Sequence, residues 1–285
     1  MTMTDTKALQ HYQLQGNPVI PVPMVGNLVY DKELGQEAVT RLNEAFRGVG
    51  GIEDKTTHQP GQPINFSNSP RNLFYHSFLR AMSNTLHVQS PIDIVRYWNS
   101  LPERNTTYAD SNAVAVFPNP GPNEELRKLV LQAFGKTTTT VPLLVMGLKP
   151  VKSDTGLGFA LERIDSTEVR EAPYLAKSGR AKYDPATNDL VAATADEEGV
   201  QIWVPEDQSG LRRAYRDGGY DLNCGYGRLL ISDADGRVPM IQDPKGRAEN
   251  LDNLVDSLRK EQEAQTRELQ ARHAKAMRYM QTGQF

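Results

Sequence analysis

Cysteine is nearly missing from this chain. One in 285 residues, Cys224, excludes an intrachain disulfide framework and a cysteine-rich zinc site, so the fold stands without covalent or metal staples. Such usage fits a reducing compartment. Long apolar runs are also missing: the longest, Val141 to Leu148, is broken by Pro142 and Gly147, and residues 1–16 carry no apolar leader core. An excess of charge of one sign is missing too. With 32 basic and 35 acidic side chains, the formal net charge of -3 announces no nucleic-acid or membrane partner for the chain as a whole. The expectation is a cytoplasmic protein, or one built into a virion assembled in the cytoplasm, with no membrane partner.

Clusters that carry chemistry are equally scarce. His11, His58, His76, His87 and His273 never approach one another at metal-ligand spacing. Cys224 stands between Asn223 and Gly225 with no histidine close in sequence, which favours a small buried residue over a nucleophile. Gly156-Leu157-Gly158 lacks the third glycine and the following helix of a dinucleotide fingerprint. No cofactor and no catalytic residue is assigned.

What is present is enough to fold. Hydrophobic residues at 38% and charged residues at 24% exclude a wholly disordered chain, while 22 glycines and 18 prolines imply extensive loops. Residues 1–30 read as an extended arm, because Asn17 to Tyr30 mixes Val, Ile and Met with three prolines. Residues 31–136 read as a helical region. Asp31 caps a helix with Leu34, Ala38, Leu42 and Phe46 on one face, ended by Gly48, Gly50 and Gly51. Ser69-Pro70 and Ser90-Pro91 each place a hydroxyl before a proline suited to the first helical turn. The first of these helices presents Leu73, Phe74, Phe78 and Met82, and the second Ile92, Val95, Trp98 and Leu101. A fourth opens at Asn123-Glu124-Glu125 and closes at Gly135.

Residues 137–245 read as a β-rich domain, with strands expected at Val141–Lys149, Leu157–Leu161, Thr167–Glu171, Val200–Val204, Gly227–Ser232 and Arg237–Gln242. Tyr183 to Asp189 reads as a turn. Residues 246–285 read as a charged helix with Asp256/Lys260, Glu263/Arg267 and Glu268/Arg272 at helical spacing. Its span, Gly246 to Gln281, would reach roughly 50 Å at 1.5 Å per residue. The fold class expected is therefore α+β: a helical N-terminal half, a small antiparallel barrel or sandwich, and a long C-terminal helix.

Three functional readings arise. Arm and terminal helix suit a non-enzymatic structural or scaffold subunit of a large homo-oligomeric assembly, such as a phage capsid, connector or tail component. Its contacts would be Val19, Ile20, Val22, Met24 and Val25 in the arm and Leu251, Leu254 and Leu258 in the helix. A second reading is single-stranded nucleic-acid binding by Arg212, Arg213, Tyr215, Arg216, Tyr220 and Tyr226, where rings stack bases and guanidiniums meet phosphates; Asp217 and Asp221 dilute that charge. A third is a metal-dependent transferase at Asp233 and Asp235 in Leu229 to Gly236. Against it, a hairpin with Asp-Ala-Asp-Gly as its loop, Gly236 taking positive φ, needs no metal.

Overall fold

The computed structural model describes residues 24–30, 34–97, 108–154, 156–217, 221–232 and 234–243. Residues 23–242 cluster as one compact unit. The first part of the chain contains strands β1 (Met24–Asn27), β2 (Val29–Tyr30), β3 (Gln62–Pro63), β4 (Leu86–Val88) and β5 (Ala109–Val116). Helices α1 (Leu34–Ala45), α2 (Ser69–Met82) and α3 (Pro91–Arg96) are interspersed among these strands, and α4 (Glu124–Ala133) comes after β5. Next come β6 (Leu143–Met146), β7 (Lys149–Lys152), β8 (Phe159–Glu162) and β9 (Glu168–Glu171), then a 3-10 turn at Pro173–Leu175. The rest are β10 (Gly179–Asp184), β11 (Asp189–Ala193), β12 (Val200–Trp203), β13 (Leu211–Asp217), β14 (Asp221–Asn223) and β15 (Pro239–Gln242).

Eight of these strands form one sheet in the order β11-β10-β12-β14-β13-β5-β6-β9, antiparallel except for the parallel pair β12/β14. The sheet curls into a half-barrel, and one side chain of an outer strand reaches the start of the other. Arg170 on β9 donates to the Asn188 carbonyl at 2.8 Å and lies 3.4 Å from Asp189, the first residue of β11. The 3-10 turn packs beside this seam, and its Tyr174 and Leu175 are buried in the interior. Side chains thus close a gap that no backbone ladder spans.

Strand alternation gives the sheet two apolar faces. Ala113, Ala115, Leu144, Met146, Ile202 and Leu222 point inward, where Ile92, Ile94 and Val95 of α3 join them. Val114, Val116, Leu143, Val145 and Leu211 point outward and are covered by Leu42 of α1, Leu73 and Leu79 of α2, and Leu126 and Val130 of α4. A three-stranded sheet, β1-β15-β4, stands beside this body.

The fold class differs from the expectation. The chain is mostly β, and its N-terminal half is not helical. The decisive element is β5, whose eight residues are all buried and which pairs with β13 and β6 in the middle of the large sheet. Ala-Asp-Ser-Asn-Ala-Val-Ala-Val has no polar/apolar alternation because both faces are covered, so period-two patterning is silent there. The boundary expected between 136 and 137 therefore passes between strands of a single sheet. The expected strand Gly227–Ser232 and its hairpin do not form either: β15 pairs with β1 and β4 instead. Met24 and Val25, expected in an arm, lie in β1, and Val25 packs against the inner cluster. The expected helix over 246–281, with Leu251, Leu254 and Leu258, falls outside the described residues, as do Val19, Ile20 and Val22. Among the described residues, no helix is long and apolar enough to cross a membrane.

Local signals explain the helices that do form. Ser90 caps α3 in a reciprocal box with Asp93, and Pro91 occupies the first turn. At α2 the cap is Asn68, whose side chain accepts from the Arg71 N–H at 3.1 Å, one residue earlier than the Ser69 expected. Part of the contact between α2 and β5 is polar: Ser69 Oγ donates to Asp110 at 3.0 Å, Asn72 to the Asp110 carbonyl at 2.6 Å, and Asn112 to His76 Nδ1 at 3.0 Å.

His76 is buried, and burial, with His87 and Arg80 nearby, lowers its pKa to about 3 from an ordinary 6.5. The folded state thus keeps it neutral while the unfolded chain protonates it below about pH 6.5, so unfolding takes up a proton. Stability is expected to be level above pH 6.5 and to fall by up to about 1.4 kcal/mol per pH unit below it. Urea titrations of the wild type and His76→Gln at pH 7, 5.5 and 4.5 check this: the slope should be reduced in the variant, and identical slopes would contradict it.

Candidate functional site

Cross-strand registry assembles a row of side chains on the outer face. Trp203 of β12 pairs with Asn223 of β14, Asn223 with Tyr215 of β13, and Tyr215 with Asp110 of β5, so the four share one face. The adjacent row, Ile202, Leu222, Arg216 and Ala109, points to the opposite face. Asp217 and Asp221, also directly opposite each other, return to the outer side.

The rings form a connected set. Tyr215 meets Tyr108 edge to face at 6.4 Å between centroids and Tyr226 at 6.3 Å. Such tilted contacts suit the ring quadrupole. Tyr215 is buried at 6% exposure, whereas Trp203 at 48% and Tyr226 at 52% reach solvent. The indole Nε1–H of Trp203 donates to Asp221 at 2.7 Å, so its exposed remainder is π surface. Asp217 accepts from Asn223 Nδ2 at 3.4 Å and lies 3.5 Å from the Tyr215 hydroxyl. Burial, together with Asp217, raises the Tyr215 phenol above its ordinary value.

The guanidiniums of the Arg/Tyr segment are turned to structural work. Arg213 binds Asp110 in two-pronged fashion, with Nε to Oδ1 at 2.9 Å and Nη2 to Oδ2, and its charge lies 4.4 Å from the Tyr215 ring centre and 5.5 Å from that of Tyr108. Burial pushes the Asp110 carboxyl up, while the carboxylate, against Arg213's own burial, raises the guanidinium. Two guanidinium prongs and Ser69 Oγ converge on Asp110, which is the arrangement of an ionised pair. Arg212 donates to the carbonyls of Ser209 and Gly225 and lies 3.4 Å from Asp207. Arg216 is fully buried on the inner face. Tyr220 lies outside the described residues, and Arg228 is exposed. Of the rings expected to stack bases, Tyr226 is displayed and Tyr215 is buried, and Arg212, Arg213 and Arg216 are not displayed to phosphates.

The other expected sites separate in the same way. Asp233 lies outside the described residues, and Asp235 is exposed in a turn. Gly236 does not take the expected positive φ; it is needed for space, since a Cβ there would come within 2.7 Å of the Tyr108 ring. Among the described residues, no three His, Cys, Asp or Glu side chains group as a metal site. Cys224 is buried in the inner cluster, and burial pushes its thiol up to about 12.

Trp203 is the functional candidate that sequence reasoning overlooked. Its signal was available: in Val200-Gln201-Ile202-Trp203-Val204 the alternate residues are inward and apolar, which leaves a tryptophan in the outward, polar phase. No family model, curated protein or solved structure matches this chain.

Exposure separates display from support within this row. Trp203→Ala and Tyr226→Ala should each leave the unfolding free energy within about 1 kcal/mol of wild type, while Tyr215→Ala should cost about 3–5 kcal/mol. Urea denaturation decides it; equal losses at all three positions would contradict the division.

Proposed function

We propose that this chain is a non-enzymatic structural subunit that assembles with copies of itself, working in the cytoplasm or in a particle assembled there. The exposed Trp203 and Tyr226 face of its curled sheet is the contact. The observation that carries this reading is the pairing of two half-exposed aromatic side chains with a rigid, buried support beneath them. Tryptophan and tyrosine are enriched where protein contacts draw their energy, because they bury large area for little loss of side-chain freedom. Here Tyr215 and the Arg213/Asp110 pair already fix the platform, so little ordering remains to be done on association.

Nucleic acid is the weaker reading of the same surface. A strand needs accessible cations along its phosphates, and Arg212, Arg213 and Arg216 are committed inside the chain while Asp217 is exposed.

Light scattering on the full chain across a hundredfold range of concentration tests the proposal. Masses above the 31.8 kDa of one chain are expected, falling towards that value in the Trp203→Ala/Tyr226→Ala double variant. A wild type that stays at one chain's mass throughout overturns it.

A further inference from the structure

Resting on that reading of the face as a protein contact, we propose that the segment seated there is basic: a lysine or arginine of an extended peptide stretch, lying against the Trp203 and Tyr226 rings and the carboxylates of Asp217 and Asp221.

The placement of the two acids is the starting point. Asp217 and Asp221 stand directly opposite each other on antiparallel strands, a position where like charges repel. Their bonded partners are all neutral: Trp203 Nε1 on Asp221, and Asn223 Nδ2 and the Tyr215 hydroxyl beside Asp217. Among the described residues, neither carboxylate takes part in an ion pair, whereas Asp110 on the neighbouring strand β5 and Asp207 in the loop before β13 each meet an arginine. Two adjacent negative charges held at an open sheet face lack a counter-charge that a partner can bring.

The flanking rings narrow the chemistry of that partner. An aromatic face attracts a cation through its quadrupole, most strongly for indole, and a nearby carboxylate adds to the same attraction. The chain already uses this combination internally: Arg213 sits between Asp110 and the Tyr215 ring on the buried side of the row. The exposed side repeats the ingredients, carboxylate beside ring, and among the described residues no cation is paired with Asp217 or Asp221 or stacked on Trp203 or Tyr226. Phosphate is repelled by the same two charges. The row also has length. Trp203, Asn223 and Tyr215 occupy three successive strands, about 10 Å at the usual strand spacing, with Tyr226 flanking Tyr215, which suits an extended peptide crossing the strands better than a single small cation.

Fluorescence anisotropy on the full chain tests this with three labelled probes: a twelve-residue lysine-serine peptide, its glutamate-serine counterpart and a twelve-residue oligothymidylate. The lysine peptide should bind at low salt. Binding should weaken at least about tenfold in Asp217→Asn/Asp221→Asn and in Trp203→Ala, and should weaken as salt is raised. The glutamate peptide and the oligonucleotide should not bind. No binding of the lysine peptide, binding unaffected by the asparagine substitutions, or preference for the oligonucleotide each overturns the inference. The mass measurement separates the two proposals: an assembled wild type whose Asp217→Asn/Asp221→Asn variant assembles undiminished sinks the basic partner alone. A single-chain wild type that still binds the lysine peptide sinks self-assembly alone.

Discussion

The buried ion pair between Asp110 and Arg213 is the constraint on which the rest of this structure depends. It joins two central strands, β5 and β13, where their register shifts between Arg213 and Tyr215, and Ser69 at the start of α2 completes it. Ser111 serves the same irregularity by donating to the Ala214 carbonyl at 2.6 Å. Burying two charges costs several kcal/mol each, and only near-ideal geometry offsets that; removing one partner leaves the other charge stranded. The pair is therefore less a source of net stability than a device that forbids other arrangements of these strands.

Guanidiniums elsewhere do related work. Arg71 collects the carbonyls of Ile52, Glu53 and Phe66 at 2.8–2.9 Å, and Arg127 takes those of Phe117 and Pro118. Irregular backbone carries polar groups that must be satisfied when buried, and a planar fork with five donors can satisfy several at once. Arg213 extends the pattern to the Ile231 carbonyl at 3.3 Å, while Asn123 serves Gly227 and Asn68 reaches towards Leu230. Those side-chain donors replace a strand partner for residues 227–231. The same positioning puts Arg213 under the Tyr215 ring, so the knot that holds the core also fixes the platform proposed as a contact.

This arrangement explains which parts of the fold were legible in the sequence. The Ser90-Pro91 cap, the helix from Glu124 and the turn between β10 and β11 rest on local chemistry within a few residues, and they stand where local reasoning put them. β5 was illegible because a strand covered on both faces loses its alternation, and because its Asp110, Ser111 and Asn112 are polar for partners over thirty residues away in sequence. The apolar run Leu229-Leu230-Ile231 promised a strand; Leu229 and Leu230 instead join the outer core, while Asn68 and Arg213 donate to the carbonyls of Leu230 and Ile231. The Arg/Tyr segment was noticed, but composition alone could not separate arginines that tie strands together from arginines offered to a ligand. Pairing geometry makes that division, and it leaves rings and carboxylates on the outside.

A double-mutant cycle between Asp110 and Arg213, read by urea denaturation, tests the central claim most directly. Asp110→Ala and Arg213→Ala should each cost about 3–5 kcal/mol, and the double variant should cost less than their sum by about 2–3 kcal/mol, because the second substitution removes the charge that the first strands. Single losses below about 1 kcal/mol that simply add would contradict the account.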